Sequence, residues 1–177
     1  MDMNVDDVMA QLKSLGNEKV RELNIRNGAG DNQFGVKLGD LRTIAKGIKI
    51  NPELAAELWA TGNMDAMLLA ILLMNPKKIP AEDLEKMVAE ATVIQVADWL
   101  NSYIVKQHPQ KETLRQKWMQ TSGVMESRAG WSLTAERVVK NSEGLDLVAL
   151  LDRVEAEMGT APAPVQWTMN YVLAETG

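Results

Sequence analysis

The chain has 177 residues, of which 46% are hydrophobic and 24% are charged. This length suits one domain or one short repeat array, and the composition is that of a folded protein rather than a disordered one. Cysteine is absent, which excludes disulfides, thiolate zinc sites, iron–sulfur clusters and a cysteine nucleophile. The first residues lack a signal-peptide core, and the apolar run that includes Met67–Met74 is too short to span a bilayer. We therefore expect a cytoplasmic protein with no membrane partner.

The basic residues are concentrated in two segments, although 24 acidic against 19 basic side chains give a net charge of −5. Residues 13–49 hold eight Lys/Arg against four Asp/Glu, and residues 106–140 hold seven against three. Two such blocks can form one basic face, because local potential rather than total charge decides contact with a phosphate backbone. On charge alone, ordinary solvated helix surfaces are the simpler explanation.

Apolar residues recur at helical spacing along nearly the whole chain, as in Val8, Leu12 and Leu15, which predicts an all-α fold. Gly, Pro and Asn clusters divide it into about ten to twelve short antiparallel helices. Helix starts are predicted at Asn51-Pro52, a cap followed by a first-turn proline, and at a capping box beginning with Thr92. From residue 37 on, the helices are expected to pair over residues 37–74, 81–107, 110–141 and 144–177.

This pair length is close to that of HEAT or armadillo repeats, in which pairs stack into a solenoid with a concave face. A compact helical bundle would give the same pattern, and periodicity alone leaves both open. The five tryptophans are spread about one per pair, so all five are expected in the core: Trp59, Trp99, Trp118, Trp131 and Trp167.

Few residues suit metal or nucleophilic chemistry. His108 is the only histidine and precedes Pro109, so a metal site or a Ser-His-Asp triad would depend on this one side chain. We expect it to be a turn residue, and we expect no metal and no organic cofactor.

Asp98 lies in the apolar run from Val93 to Leu100. A carboxylate there must be hydrogen-bonded, paired or at a cleft surface. It is either a buried structural carboxylate, paired with an Arg or capping a helix, or a groove-floor carboxylate that stabilises positive charge developing on a substrate. Arg128, near the start of an apolar helix, is placed either to pair with Asp98 or to hold phosphate.

A set of short motifs occurs in a recognisable order: Phe34-Gly35-Val36 with Leu41-Arg42, then Asp98, His108-Pro109, Lys117-Trp118 and Ser127-Arg128-Ala129-Gly130-Trp131. Their order and spacing resemble those of the AlkD-like DNA alkylation-repair family, the HEAT-like repeat alkylpurine DNA glycosylases. The helix from Asn170 resembles a branch of that family whose members usually continue beyond this point. We therefore expect a divergent, C-terminally shortened member.

The resemblance implies a single HEAT-like domain over residues 1–177 whose concave basic face binds duplex DNA. It also implies hydrolysis of the N-glycosidic bond of cationic N3- or N7-alkylated purines. Asp98 would then stabilise the oxocarbenium-like sugar, Arg128 would hold a phosphate, and Tyr171 would pack against the deoxyribose. Two family positions differ, since Ile94 stands where active members have Trp and Ala174 where they have Arg.

Weaker candidates for DNA backbone contacts come from the two basic blocks: Lys37, Arg42, Lys106, Lys111 and Arg115.

Two other function classes remain open. One is a non-catalytic relative that binds DNA structures, and the other is a helical-repeat scaffold whose concave surface receives a partner helix. The oligomeric state is open as well.

Overall fold

The computed structural model describes residues 3–176, and every regular element in that range is a helix, which confirms the all-α prediction. A 3-10 helix, Val105–Gln107, lies between α7 and α8. The α-helices are α1 (Val5–Ser14), α2 (Glu18–Arg26), α3 (Leu38–Ile48), α4 (Pro52–Ala60), α5 (Met64–Leu73), α6 (Ala81–Glu90), α7 (Ile94–Tyr103), α8 (Lys111–Trp118), α9 (Val124–Lys140), α10 (Leu147–Glu157) and α11 (Ala163–Thr176).

The chain divides into two compact units. The first unit is the chain up to Ile79 together with Ala91–His108, and it contains α1–α5, α7 and the 3-10 helix. The second unit is Pro80–Glu90 together with the chain from Pro109 on, and it contains α6 and α8–α11. The expected single domain over residues 1–177 stays a prediction.

The core of the first unit is built around α5, which contacts α3, α4 and α7. This helix is apolar on nearly all sides, as a helix surrounded by neighbours must be, and all of its residues except Leu72 are buried. The cap predicted at Asn51 is confirmed, since its side chain accepts a hydrogen bond from the Leu54 N–H and Pro52 is the first residue of α4.

The core of the second unit is built around α9, which packs against α6, α8 and α11. Gly130 allows α9 to approach the end of α8 closely, because a Cβ added there would lie 3.0 Å from the Trp118 Cβ. Residues of α8 to α11 and the turns beside them form the buried cluster: Met119, Trp131, Ala135, Val154, Val165, Met169 and Val172.

The predicted pairing is only partly correct. Residues 37–74 hold three helices rather than two, because breakers after both α3 and α4 end a helix. The helices predicted to pair over residues 81–107 are divided between the units, since α6 belongs to the second and α7 to the first. The capping box at Thr92 was also wrong, because Val93 is the residue that caps α7 and it makes no side-chain cap hydrogen bond.

Four of the five tryptophans are buried, with at most 8% of each residue exposed, but Trp167 is 61% exposed. Its expected core position was therefore wrong. The physical reason is helical phase: Val165, Met169 and Val172 occupy the packed side of α11, and Trp167 falls on the opposite side.

Candidate nucleic-acid interface

Asp98 lies on the exposed side of α7, whereas Trp99 and Leu100, which follow it, are buried. Successive side chains of a helix point about 100° apart, so an apolar sequence context does not require burial of every residue in it. The expected burial of Asp98 is therefore wrong, whereas its pairing with an Arg stays a prediction. Ile94, one turn earlier, is also partly exposed, at 38%.

Arg42 is held between α3 and α7 by two aromatic side chains. Its guanidinium carbon lies 5.0 Å from the centroid of the Trp99 ring, and its Nε donates a long 3.5 Å hydrogen bond to the Tyr103 hydroxyl. The Trp99 and Tyr103 rings are themselves in contact, with centroids 5.3 Å apart. The Trp99 ring face and the Tyr103 hydroxyl therefore hold the guanidinium without neutralising its charge.

Three cations predicted from the basic blocks lie in the first unit: Lys37, Arg42 and Lys106. Lys37 caps α3 and is exposed, and Lys106 lies half-buried in the 3-10 helix. Within residues 3–176, none of the three forms an ion pair.

The two cations predicted in the second unit are instead engaged with carboxylates. Arg115 is buried, donates to Glu112 at 2.7 and 3.0 Å, and donates to the Thr134 hydroxyl at 3.1 Å. Lys111 Nζ lies 3.5 Å from Glu136 Oε1. Both line a groove of about 400 Å³ between α8 and α9, together with Glu112, Leu133, Glu136, Arg137, Lys140 and Asn141.

Glu112 is the centre of this network. The hydrogen bond from Arg115 lowers the pKa of Glu112 below its ordinary value, and the charges of Arg115 and Arg137 add to this effect against an opposing contribution from burial. Arg137 donates to the same carboxylate at 2.9 Å. The carboxylate is thus ionised at neutral pH and offsets part of the positive charge of the groove.

Arg128 lies in α9 and is only 5% exposed, so it differs from the exposed Arg42. Asp98 belongs to the first unit and Arg128 to the second. A phosphate contact by Arg128 stays a prediction.

Tyr171 is 50% exposed on α11 and meets Trp167 edge to face, with ring centroids 5.9 Å apart and ring planes at 82°. Ala174 is exposed on the same helix. Sequence reasoning missed Trp167 as a surface residue. The available signal was its four-residue spacing from Tyr171, out of phase with the apolar residues of the packed side.

Asp65 was also missed, and it explains the Phe34-Gly35-Val36 motif. Its carboxylate, 1% exposed in the first turn of α5, accepts hydrogen bonds from the backbone N–H groups of all three motif residues, at 2.6, 3.2 and 2.9 Å. Gly35 has φ +76°, and a Cβ there would lie 2.5 Å from the Asn17 carbonyl oxygen. The motif therefore anchors the loop before α3, the helix that carries Arg42.

His108 follows the 3-10 helix and is buried, and its Nε2 donates to the Ile79 carbonyl at 2.7 Å. Within the described part of the chain, no group of three or more His, Asp or Glu side chains is arranged to hold a metal ion.

The sequence pattern of one protein family, described as DNA alkylation repair enzyme, matches residues 8–177. This chain belongs to that family. Two Listeria proteins are also similar over 97% of the chain and 78% of their own length: "Uncharacterized protein Lin0241" of Listeria innocua at 27% identity and "Uncharacterized protein Lmo0209" of Listeria monocytogenes at 26%.

A solved structure matches 98% of the chain with a TM-score of 0.86 and 28% identity, and the match covers 76% of that structure's chain. It is described as "A new family of proteins related to the HEAT-like repeat DNA glycosylases with affinity for branched DNA structures". The HEAT-like fold predicted for this family member is thereby confirmed. Across residues 3–176, no helix has both the length and the apolar character that crossing a bilayer requires.

Proposed function

We propose that this protein binds DNA and prefers branched DNA over linear duplex. The observation that carries the proposal is the similarity, over 98% of the chain, to a structure described as having affinity for branched DNA. Family membership over residues 8–177 supports a role in the response to alkylated DNA. We place this activity in the cytoplasm.

Arg42 is the strongest candidate for a phosphate contact. Its guanidinium is exposed, fixed over Trp99 at 5.0 Å, and not neutralised by a carboxylate among the described residues. A fixed guanidinium loses little side-chain freedom when it binds, and its planar fork matches two phosphate oxygens. Lys37 and Lys106 are proposed as further backbone contacts. Lys111, Arg115 and Arg128 are weaker candidates, since Lys111 and Arg115 already interact with carboxylates and Arg128 is buried.

A second candidate function is excision of cationic alkylpurines through Asp98. The observation that favours it is the exposure of this side chain on α7, since a carboxylate that reaches the surface can approach a sugar. It would stabilise positive charge that develops on the sugar as the base departs, and Tyr171 would pack against the ring. We rank excision second because the family's aromatic wall is Ile94 here and its Arg is Ala174.

The binding proposal is tested with a four-way junction and a linear duplex of the same sequence. Wild type should bind the junction more tightly, and Arg42→Ala should weaken binding to both DNAs. Arg153→Ala is the matched control, because Arg153 also lies over a tryptophan, 5.1 Å from the Trp131 ring, but is ion-paired with Glu157 at 2.8 Å. Equal affinity for junction and duplex would contradict the preference. No binding to either DNA would overturn the proposal and favour the scaffold class.

Excision is tested in the same preparations by release of 7-methylguanine and 3-methyladenine from methylated duplex. Release by wild type that is lost in Asp98→Asn, with DNA affinity retained, would support the second candidate. If wild type releases no base while binding DNA, excision is rejected and binding stands.

A further inference from the structure

The second unit carries an exposed aromatic pair that its own packing does not explain. Trp167 is 61% and Tyr171 50% exposed, although tryptophan is usually well buried in folded proteins. The packed side of α11 is already supplied by Val165, Met169 and Val172, which are at most 4% exposed. Together the two rings form an exposed aromatic patch, and such patches mark interaction sites.

Around Trp167, the exposed side of α11 is uncharged. On the exposed side of α11, the aromatic residues are flanked by small or short side chains at helical spacing: Ala163, Asn170 and Ala174. Tyr171 meets Trp167 with ring planes at 82°, so the two rings do not stack on each other and a ring face is left for a third ring.

Charge distinguishes the parts of DNA that this face can contact. The first charged residue beyond it is Glu175, an exposed carboxylate one turn after Tyr171. A carboxylate repels phosphate, so the face suits the uncharged plane of a base better than the sugar–phosphate backbone. Bases within a paired duplex are covered by their neighbours, whereas a branch point can expose an unpaired one.

We propose that Trp167, edged by Tyr171, is a stacking platform for an unpaired nucleobase at a DNA branch point. This inference rests on the proposed preference for branched DNA and assigns a specificity-determining residue to it. Stacking of a base on an aromatic side chain is strong and tolerates any base, because every base has a π face. The platform therefore recognises the branch and not its sequence.

The test uses a three-way junction with unpaired adenines at the branch, one of them replaced by 2-aminopurine, and a fully paired linear duplex. Trp167→Ala should lower affinity for the junction roughly tenfold and leave affinity for the duplex unchanged. Trp167→Phe should restore most of the loss, because it keeps a ring at this position. Val148→Ala is the control, since Val148 is a 70% exposed residue of the same unit on α10. The 2-aminopurine emission should fall on binding wild type but not Trp167→Ala.

The outcomes separate this inference from the proposed function. If wild type binds neither DNA, the proposed function fails. If wild type prefers the junction and Trp167→Ala binds it equally well, the platform is rejected while the function stands. If Trp167→Ala lowered the affinity for junction and duplex equally, Trp167 would contact the backbone and the platform would be rejected. The platform would also be rejected if Trp167→Ala abolished a wild-type dimer in sedimentation and left DNA affinity unchanged.

Discussion

Among single residues, Asp65 is expected to contribute strongly to stability. Its buried carboxylate satisfies three consecutive backbone donors across a gap of about thirty residues in the chain. Asp65→Asn places an amide N–H₂ or a weaker neutral acceptor against these donors, so we expect a loss of roughly 3 kcal/mol in the free energy of unfolding. Urea denaturation measures this loss.

The control for this substitution is Asp152→Asn, an exposed residue of α10. It should change stability by less than about 0.5 kcal/mol. If the two variants were equally stable, Asp65 would not anchor the Phe34-Gly35-Val36 loop.

Glu112 gives a prediction that depends on pH. Its pKa is lowered in the folded protein, so the stabilisation it provides is fully present above the unfolded value of about 4.5 and is lost as the pH falls through the lower, folded value. Glu112→Gln should therefore unfold at a lower urea concentration than wild type near neutral pH. At about pH 3 or below the difference should shrink.

Glu18→Gln is the matched comparison, because Glu18 also precedes its arginine partner by three residues but is 72% exposed and 3.7 Å away from it. That variant should behave like wild type at both pH values. A Glu112→Gln deficit that did not change with pH would contradict the proposed role of its charge.

At the scale of helices, a Gly→Ala substitution is expected to have opposite effects on stability at two positions. Gly130→Ala adds a methyl group 3.0 Å from Trp118, so α9 must move away from α8 at a cost of about 1 to 3 kcal/mol. Gly39→Ala in α3 meets no atom within 4 Å, and it should stabilise the protein by up to about 1 kcal/mol through its higher helix propensity. Thermal unfolding of the two variants checks both signs. Stabilisation by Gly130→Ala would contradict the close approach of α8 and α9.

Helix number and type were readable from the sequence because breakers and apolar spacing are local signals. The cap at Asn51 was predicted correctly, because a cap residue followed by a first-turn proline is a local signal. The cap of α7 was predicted wrongly. A capping box requires Thr92 to be the N-cap residue, but Val93 holds that position and Thr92 lies one residue before it. The pairing of α6 with α7 failed for a different reason: which neighbours a helix packs against depends on contacts far away in the chain.

Less of the candidate site than of the fold could be predicted from the sequence. Composition placed Arg42 and Arg115 in equivalent basic blocks, yet one lies over an aromatic ring and the other is paired with Glu112. Ion pairing is a property of side chains brought together by folding, so counting charges along the chain cannot distinguish these cases. The apolar context of Asp98 was similarly misleading, because helical phase set its exposure.

For the molecule as a whole, the net charge of −5 means that binding to DNA must depend on a few local cations. The logarithm of the binding constant should fall linearly with the logarithm of salt concentration, and each phosphate contact contributes about 0.9 to the slope. Arg42→Ala should reduce the magnitude of the slope by about one. Arg153→Ala should leave it unchanged, and a slope near zero for wild type would contradict phosphate contacts altogether. Fluorescence anisotropy at several salt concentrations measures all three slopes.

The first unit is discontinuous, since α7 returns to it after α6 has joined the second. During synthesis, α5 therefore leaves the ribosome well before α7, its later packing partner. The side of α5 that packs against α7 remains uncovered until translation has passed Tyr103, and the first unit cannot close before then. The nascent chain thus exposes one side of an almost wholly apolar helix during this interval, which makes it the point at which a chaperone would matter most.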